Sequence, residues 1–190
     1  MKKSSYDKCG QVGPFIFKYY PEYWGISEYP ANKCVPFCKV RDEWGIFSNF
    51  APTPIPFEGR NYSCVEQLFQ CMKFTDPEVI GDIMSASGQR IKMKAKHWVK
   101  EGKIRPDWGQ RIVDALRQCL RLKFAHSEEF RKALRESGDR FIVEDESCHP
   151  RKYADAYGCK LIGDKYIGPN LMGRLLMELR RDKILDSDIK

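Results

Sequence analysis

The sequence contains no long hydrophobic run. Its apolar stretches extend over only a few residues, whereas a membrane-spanning helix needs about 20 predominantly apolar residues. No apolar segment follows the basic start Met1-Lys2-Lys3, so the pattern of a secretory signal is missing. Internal repeats and low-complexity tracts are also absent. We therefore expect a soluble protein of the cytoplasm that has no membrane partner.

Close cysteine pairs are scarce, although the chain has eight cysteines: Cys9, Cys34, Cys38, Cys64, Cys71, Cys119, Cys148 and Cys159. Cys34 and Cys38 have a spacing that occurs in zinc sites, but no second pair follows at a zinc-finger distance. Disulfides are not expected, because cytosolic thiols are kept reduced. We therefore predict no metal site. A zinc-dependent nucleic-acid binder is the alternative, and it would require stoichiometric metal.

The composition predicts one folded domain that binds anions. Of the 190 residues, 42% are hydrophobic and 13% aromatic, which is enough for a core. The net charge is +7, from 33 basic and 26 acidic residues. Such a charge favours phosphorylated small molecules or nucleic acid as partners. Part of the excess lies in residues 90–105, which form either a phosphate-binding surface or a solvated helix face.

Periodicity predicts a helix-rich α+β domain with a small sheet. Strands are expected at Phe15–Tyr19, at Val35–Val40 and at Phe141–Val143, and a hairpin is expected over Pro54–Tyr62 with its turn at Glu58-Gly59. Helices are expected after Ser63, Asp76, Asp107, Ser127 and Pro169, and over Gln89–Val99. Residues 144–168 are expected to form a polar loop.

Glu66 has two interpretations. Ser63 and Glu66 have the spacing of a capping box, in which the glutamate binds backbone N–H groups at the start of a helix. Glu66, Gln70 and Lys73 also lie on one side of the same predicted helix, which groups a carboxylate, an amide and a cation. The spacing alone favours the capping role.

Several motifs in order resemble the NADAR (YbiA-like) family. They are Phe47-Ser48-Asn49-Phe50, Glu58-Gly59-Arg60, Val65 to Phe74, Arg105-Pro106-Asp107-Trp108, and Asn170 to Arg180. We therefore expect this domain over residues 37–185, with residues 1–36 as an extension that contributes a strand. The sequence departs from the family pattern at Gln67, where the family has histidine, and in the family's D-x-x-W-G loop, which here reads Asp155-Ala156-Tyr157-Gly158.

The resemblance implies an N-glycosidase that needs no cofactor. Members of this family cleave bonds between ribose C1′ and nitrogen, either in early riboflavin intermediates or in ADP-ribosylated guanine of DNA or RNA. The basic charge favours the nucleic-acid substrate, and hydrolysis of riboflavin intermediates is the alternative. A module that binds ADP-ribose without cleaving it is a further alternative, because the loop at Tyr157 is altered.

The resemblance also implies which residues act. Glu66 is the predicted carboxylate at C1′, and Asp155 is the predicted proton donor to the departing nitrogen. Aromatic rings are expected to sandwich the base, basic groups to hold phosphate, and amides to bind ribose hydroxyls. The predicted binding residues are Phe47, Asn49, Phe50, Arg60, Gln70, Lys73, Arg105, Trp108, Tyr157 and Asn170.

Overall fold

The computed structural model describes residues 13–150 and 152–187, and it confirms the α+β prediction. Cys9 and the first part of the predicted extension lie outside the described residues. The chain divides into two compact units. Unit 1 comprises the described residues of 1–45 and 132–190, and unit 2 comprises Ile46–Arg131.

Unit 1 contains two small sheets. Strands β1 (Ser27–Pro30), β6 (Lys160–Ile162) and β7 (Lys165–Gly168) form an antiparallel sheet in the order β1-β7-β6, and β2 (Cys34–Phe37) pairs in parallel with β5 (Phe141–Glu144). The helices are α1 (Gly13–Tyr19), α7 (Leu171–Ser187) and the end of α6 (Glu128–Glu136). Helix α7 packs on β5, where Ile142 and Val143 are fully buried.

Close packing of α7 on β5 depends on Gly173. A Cβ at this position would lie only 2.0 Å from the Ile142 carbonyl oxygen. The residue before the helix, Asn170, has a positive φ of 53°, which asparagine tolerates better than most residues. These two residues of the Asn170–Arg180 motif therefore fix the start of α7 against the sheet.

Two sequence predictions in unit 1 were wrong. Phe15–Tyr19 is helical, because Ile16 and Tyr20 are the buried residues and their spacing of four suits a helix, whereas Phe17 is 62% exposed. The predicted loop 144–168 contains the β6–β7 hairpin. Ile162 pairs with Lys165 across the two-residue turn Gly163-Asp164, and glycine supplies the positive φ of 63°.

Unit 2 follows the predicted elements closely. It comprises the hairpin β3 (Ile55–Phe57) and β4 (Arg60–Tyr62), then α2 (Val65–Cys71), α3 (Pro77–Met84), α4 (Gln89–Lys100), α5 (Trp108–His126) and the start of α6. The turn residues Glu58 and Gly59 both have positive φ, as the predicted hairpin requires. Asp76 caps α3 by accepting the Glu78 N–H at 3.0 Å. Asp107 precedes α5 as predicted, but its side chain makes no capping bond.

Helix α2 is the centre of unit 2. All seven of its residues are buried, and it packs against α3, α4 and α5. A short helix enclosed on several sides can hold polar side chains away from water. None of the helices in the described ranges 13–150 and 152–187 is long and apolar enough to cross a membrane.

Candidate active site

The predicted capping box at Ser63 and Glu66 was wrong. Helix α2 begins at Val65, so Glu66 is its second residue and does not reach back to Ser63. Gln67 performs that function instead, because its Oε1 accepts the Ser63 N–H at 2.9 Å and the Ser63 hydroxyl at 3.2 Å. The Glu66 side chain is therefore not used as a cap.

Gln67 also links two helices. Its Nε2 donates to the carbonyl oxygens of Met84 and Ala86, both at 3.0 Å. The side-chain amide thus connects the start of α2 to the end of α3 with a donor and an acceptor together. The family's histidine position is occupied here by a residue with a structural role.

The Glu66 carboxylate is buried within unit 2. Glu66 is 4% exposed, and its backbone N–H donates to the Asn49 carbonyl at 2.8 Å. Its Oε1 accepts Gln70 Nε2 at 2.7 Å and lies 3.8 Å from Lys92 Nζ. No hydrogen bond to Oε2 occurs within the part of the chain that the structure describes. One carboxylate oxygen is therefore fixed, and the other is available.

Two lysines place positive charge near the Glu66 carboxylate. Lys92 of α4 lies 4.8 Å from the centre of the Phe50 ring and reaches Glu66 with a side chain that is 52% exposed. Burial lowers the pKa of Lys73 from 10.5 to about 8, with Glu66 opposing and Lys92 adding to this shift. Lys92 belongs to another helix, α4, and no sequence pattern connects it with Glu66.

Residues of the Phe47–Phe50 motif have different surroundings. Asn49 Oδ1 is a buried acceptor with no hydrogen-bond partner among the described residues. Such an acceptor is unusual in a folded protein and calls for a donor. Phe47 was predicted to stack on a base, but it is fully buried and its ring packs edge-on against Phe130 at 6.0 Å. Phe47 is therefore a core residue, and Phe50 is half-buried.

Arg60, Arg105 and Trp108 line a cavity of about 230 Å³ that Glu66 does not line. Helix α2 contributes Leu68 and Cys71 to this cavity, and helical periodicity turns those positions away from Glu66. Arg105 and Trp108 already have partners within the protein. Arg105 forms a bidentate pair with Asp107 at 2.6 and 3.2 Å, and the 5% exposed Trp108 packs on Phe69 at 5.3 Å.

The remaining predicted residues belong to unit 1. Asp155 Oδ1 accepts the Tyr157 N–H at 2.9 Å, which closes a tight turn. Asn170 is fully buried, and its amide accepts the Glu144 N–H at 3.2 Å and donates to the Ile142 carbonyl at 2.9 Å. Both ends of the Asn170 amide thus hold β5, which differs from the predicted contact with ribose.

Glu146 is a residue that the sequence analysis missed. It is 5% exposed, and its Oε2 accepts the Asp155 N–H at 3.0 Å. Burial and a side-chain hydrogen bond with Asp155 raise the pKa of Glu146 above its ordinary value of 4.5. Its position only nine residues before Asp155 was the available signal, but pairing across a loop requires the fold.

No group of metal-ligating side chains occurs among the described residues. Cys34 lies in β2 and donates to the Pro30 carbonyl, and Cys38 Sγ lies 3.1 Å from Cys148 Sγ. The spacing of Cys34 and Cys38 therefore reflects a strand and the turn after it.

Comparison with known proteins gives consistent matches. A family model described as the NADAR domain matches residues 36–183. N-glycosidase YbiA of Escherichia coli is 30% identical over 161 residues, which cover 85% of this chain and 95% of that protein. N-glycosidase Npun_R5314 of Nostoc punctiforme is 26% identical over 148 residues, 77% of this chain and 90% of that protein.

A maize protein and a solved structure are also similar to this chain. The maize riboflavin biosynthesis protein PYRR, chloroplastic, is 26% identical over 171 residues, which are 83% of this chain but 26% of that protein. The NMR structure of Escherichia coli YbiA superimposes with a TM-score of 0.64 at 28% identity, and it covers 81% of this chain and 86% of that chain.

Proposed function

Because the chain belongs to the NADAR domain family, we propose that it hydrolyses the bond between ribose C1′ and a nitrogen, with Glu66 at the reacting carbon. The relatives named N-glycosidase support this reaction class. The observation that carries the proposal is the buried Glu66 carboxylate, which has one oxygen held by Gln70 and the other without a described partner.

The reaction explains why a buried carboxylate is needed. Cleavage of the C1′–N bond leaves positive charge on C1′ and the ring oxygen, and a fixed carboxylate stabilises that charge. The same group orients a water that adds its oxygen to C1′, while the departing nitrogen takes up a proton. Gln70 keeps Oε1 in place, so Oε2 is the oxygen that faces the reaction.

The neighbours of Glu66 suit a phosphorylated ribose that carries a base. Lys73 and Lys92 supply positive charge for phosphate oxygens. Asn49 Oδ1 supplies an acceptor for a hydroxyl or amino group, and Phe50 supplies an aromatic face. Asp155 as the proton donor and Tyr157 as a base contact stay predictions from the family resemblance. Arg60, Arg105 and Trp108 line a cavity that Glu66 does not line, so we do not assign them to the proposed site.

The favoured substrate is ADP-ribose attached to guanine in nucleic acid. Helix α4 contains no acidic residue, and Lys92, Lys96 and Lys100 recur every four residues on its exposed side. This row begins at the lysine that contacts Glu66. A row of cations that leads away from a carboxylate suits a substrate whose phosphate backbone continues beyond the reacting sugar.

Riboflavin intermediates are the second candidate, and the similarity to a maize protein named for riboflavin biosynthesis favours them. An assay of ADP-ribosyl-guanine oligonucleotide and of the phosphoribosyl pyrimidine intermediate, side by side, separates the two. Release of guanine-containing strand at a higher kcat/KM supports the nucleic-acid substrate. Tight ADP-ribose binding without release of base from either compound would instead support the non-catalytic module.

The catalytic role of Glu66 is tested with Glu66→Gln. The amide still accepts from Gln70 and keeps the backbone bond to Asn49, so the fold should persist. We expect kcat to fall by about 100- to 1000-fold because the charge opposite C1′ is lost. Glu78→Gln is the matched control, since Glu78 is an exposed glutamate at the start of α3. Near wild-type turnover of a folded Glu66→Gln protein would refute the assignment.

A further inference from the structure

Lys123 is a fully buried cation on the apolar side of α5. It is 0% exposed, as is Leu116, and Leu120 is 1% exposed on the same side of the helix. Its Nζ donates to the carbonyl oxygens of Ile46 at 2.5 Å and Ser48 at 2.9 Å. The same Nζ lies 4.8 Å from the centre of the Phe130 ring.

Burial of this lysine is unfavourable, and the charge of Glu129 offsets only part of the cost. Desolvation lowers the pKa of Lys123 from 10.5 to about 7, whereas an apolar residue would carry no such penalty. Two backbone carbonyl groups offset this cost, because they accept hydrogen bonds from Lys123 and would otherwise be buried without a donor. Both the ammonium and the neutral amine have at least two N–H groups for these two carbonyls. The contact therefore does not depend on the charge.

The two carbonyls belong to the turn that leads into the Glu66 site. Asn49 directly follows Ser48, and its carbonyl oxygen accepts the Glu66 N–H at 2.8 Å. The Phe50 N–H donates to Ser48 Oγ at 3.2 Å, and the Phe50 ring contacts Lys92. A shift of this turn would therefore move Asn49 and Phe50 relative to the carboxylate.

We propose that Lys123 is a positioning residue: it holds the turn at Ile46 and Ser48 so that Asn49 and Phe50 face the ligand beside Glu66. This role rests on the proposed function, because it assigns the ligand site to Glu66. Lys123 itself is enclosed and touches no substrate. It acts through two hydrogen bonds from its side chain to backbone carbonyl groups, which connect α5 to residues 75 and 77 positions earlier in the chain.

Lys123→Met tests the proposal, because methionine keeps most of the length but has no donor. We expect kcat/KM to fall by about 100-fold, the loss that a displacement of about 1 Å produces in a positioned site. Hydrogen exchange at the Glu66 amide should accelerate at least about tenfold, since its acceptor is the Asn49 carbonyl. The control is Ile112→Ala, which opens a cavity about three turns earlier on α5: it should leave kcat/KM close to wild type and should accelerate exchange throughout the unit rather than selectively at Glu66.

Lys123→Ala with added propylamine covers the case in which methionine prevents folding. Propylamine replaces the missing carbons and nitrogen, and it should restore kcat/KM at least about tenfold more than 1-propanol, which has a single donor. A folded Lys123→Met protein with wild-type kcat/KM and wild-type exchange at Glu66 would overturn the proposal, as would equal rescue by both additives. If the wild-type protein cleaves neither substrate, the proposed function fails, and the exchange at Glu66 still decides whether Lys123 holds the turn.

Discussion

Lys73 and Lys92 both lie near Glu66, but their side chains are enclosed to different extents. The Lys92 side chain is 52% exposed. Burial brings the pKa of Lys73 down to about 8. Lys73 therefore changes charge within the range in which enzymes are commonly assayed, although lysines usually do not.

The lowered pKa of Lys73 predicts a pH dependence of ligand binding. If the Lys73 ammonium holds phosphate, the dissociation constant for ADP-ribose should rise by about tenfold between about pH 7 and about pH 9, because the charged fraction falls through a pKa of about 8. Isothermal titration at several pH values measures this change. Lys73→Arg keeps its charge throughout that range and should show a flat profile. The same slope in both proteins would exclude Lys73 as the titrating group.

At the scale of elements, the segment from β5 to β6 encloses the carboxyl group of Glu146, whose pKa burial raises. Its carboxyl group is buried and bonded to the backbone and side chain of Asp155. Gly158 is required beside it, because a Cβ there would lie 2.9 Å from Glu146 Cγ and 2.5 Å from the Glu144 carbonyl oxygen. The loop that carries Asp155 thus packs closely around the Glu146 carboxyl group.

The free energy of unfolding should therefore decrease as the pH rises through the pKa of Glu146. The folded pKa of Glu146 is raised above 4.5, so the folded state retains a proton that the unfolded chain releases. The contribution is complete below about pH 4.5 and is lost as pH rises through the raised pKa. Urea unfolding should show a loss on the order of 2 kcal/mol between about pH 5 and about pH 8. In Glu146→Gln this loss should be absent, and parallel curves for both proteins would contradict the assignment.

Elements defined by local signals could be predicted from the sequence, and those defined by pairing could not. The Glu58-Gly59 turn and the Asp76-Pro77 helix start depend on neighbouring residues alone. The strand prediction at α1 was wrong because aromatic residues alternate in a segment whose buried large side chains, Ile16 and the following Tyr20, are four residues apart. The β6–β7 hairpin was missed although Gly163-Asp164 is a turn signal, because its strands are very short.

The same distinction between local signals and packing applies to the candidate site. Gln70 lies one turn after Glu66, so helical spacing alone predicted their contact, and the structure has it at 2.7 Å. Lys92 and Lys123 come from other helices, and only packing brings them to Glu66 and to the turn before it. Gln67 departs from the family pattern, yet its role in joining α2 to α3 depends on the position of the Met84 and Ala86 carbonyls, which the sequence does not give.

For the whole molecule, the net charge of +7 bears on the choice of substrate. A general positive field accelerates the approach of any anion, whereas contacts to individual phosphates add a steep dependence on salt. The two effects are separable, because the exposed lysines of α4 form a local row and other exposed basic residues are elsewhere in the chain.

The separating experiment compares two charge-matched double variants. Lys96→Glu/Lys100→Glu changes the α4 row, and Arg121→Glu/Arg135→Glu changes exposed positions on α5 and α6, each lowering the net charge from +7 to +3. With ADP-ribosylated oligonucleotide, the α4 variant should lower kcat/KM at least about tenfold at low salt. It should also reduce the slope of log kcat/KM against log salt by about two, because each replaced lysine neutralises about one phosphate in the wild-type protein.

The control variant should show only a small general decrease, and neither variant should affect a small phosphoribosyl substrate to the same extent. Equal decreases in both variants would mean that overall charge attracts the substrate and that α4 binds no phosphate. Equal salt slopes for oligonucleotide and small substrate in the wild-type protein would argue for the riboflavin intermediate, because a compact substrate displaces few counterions and needs only the cations beside Glu66.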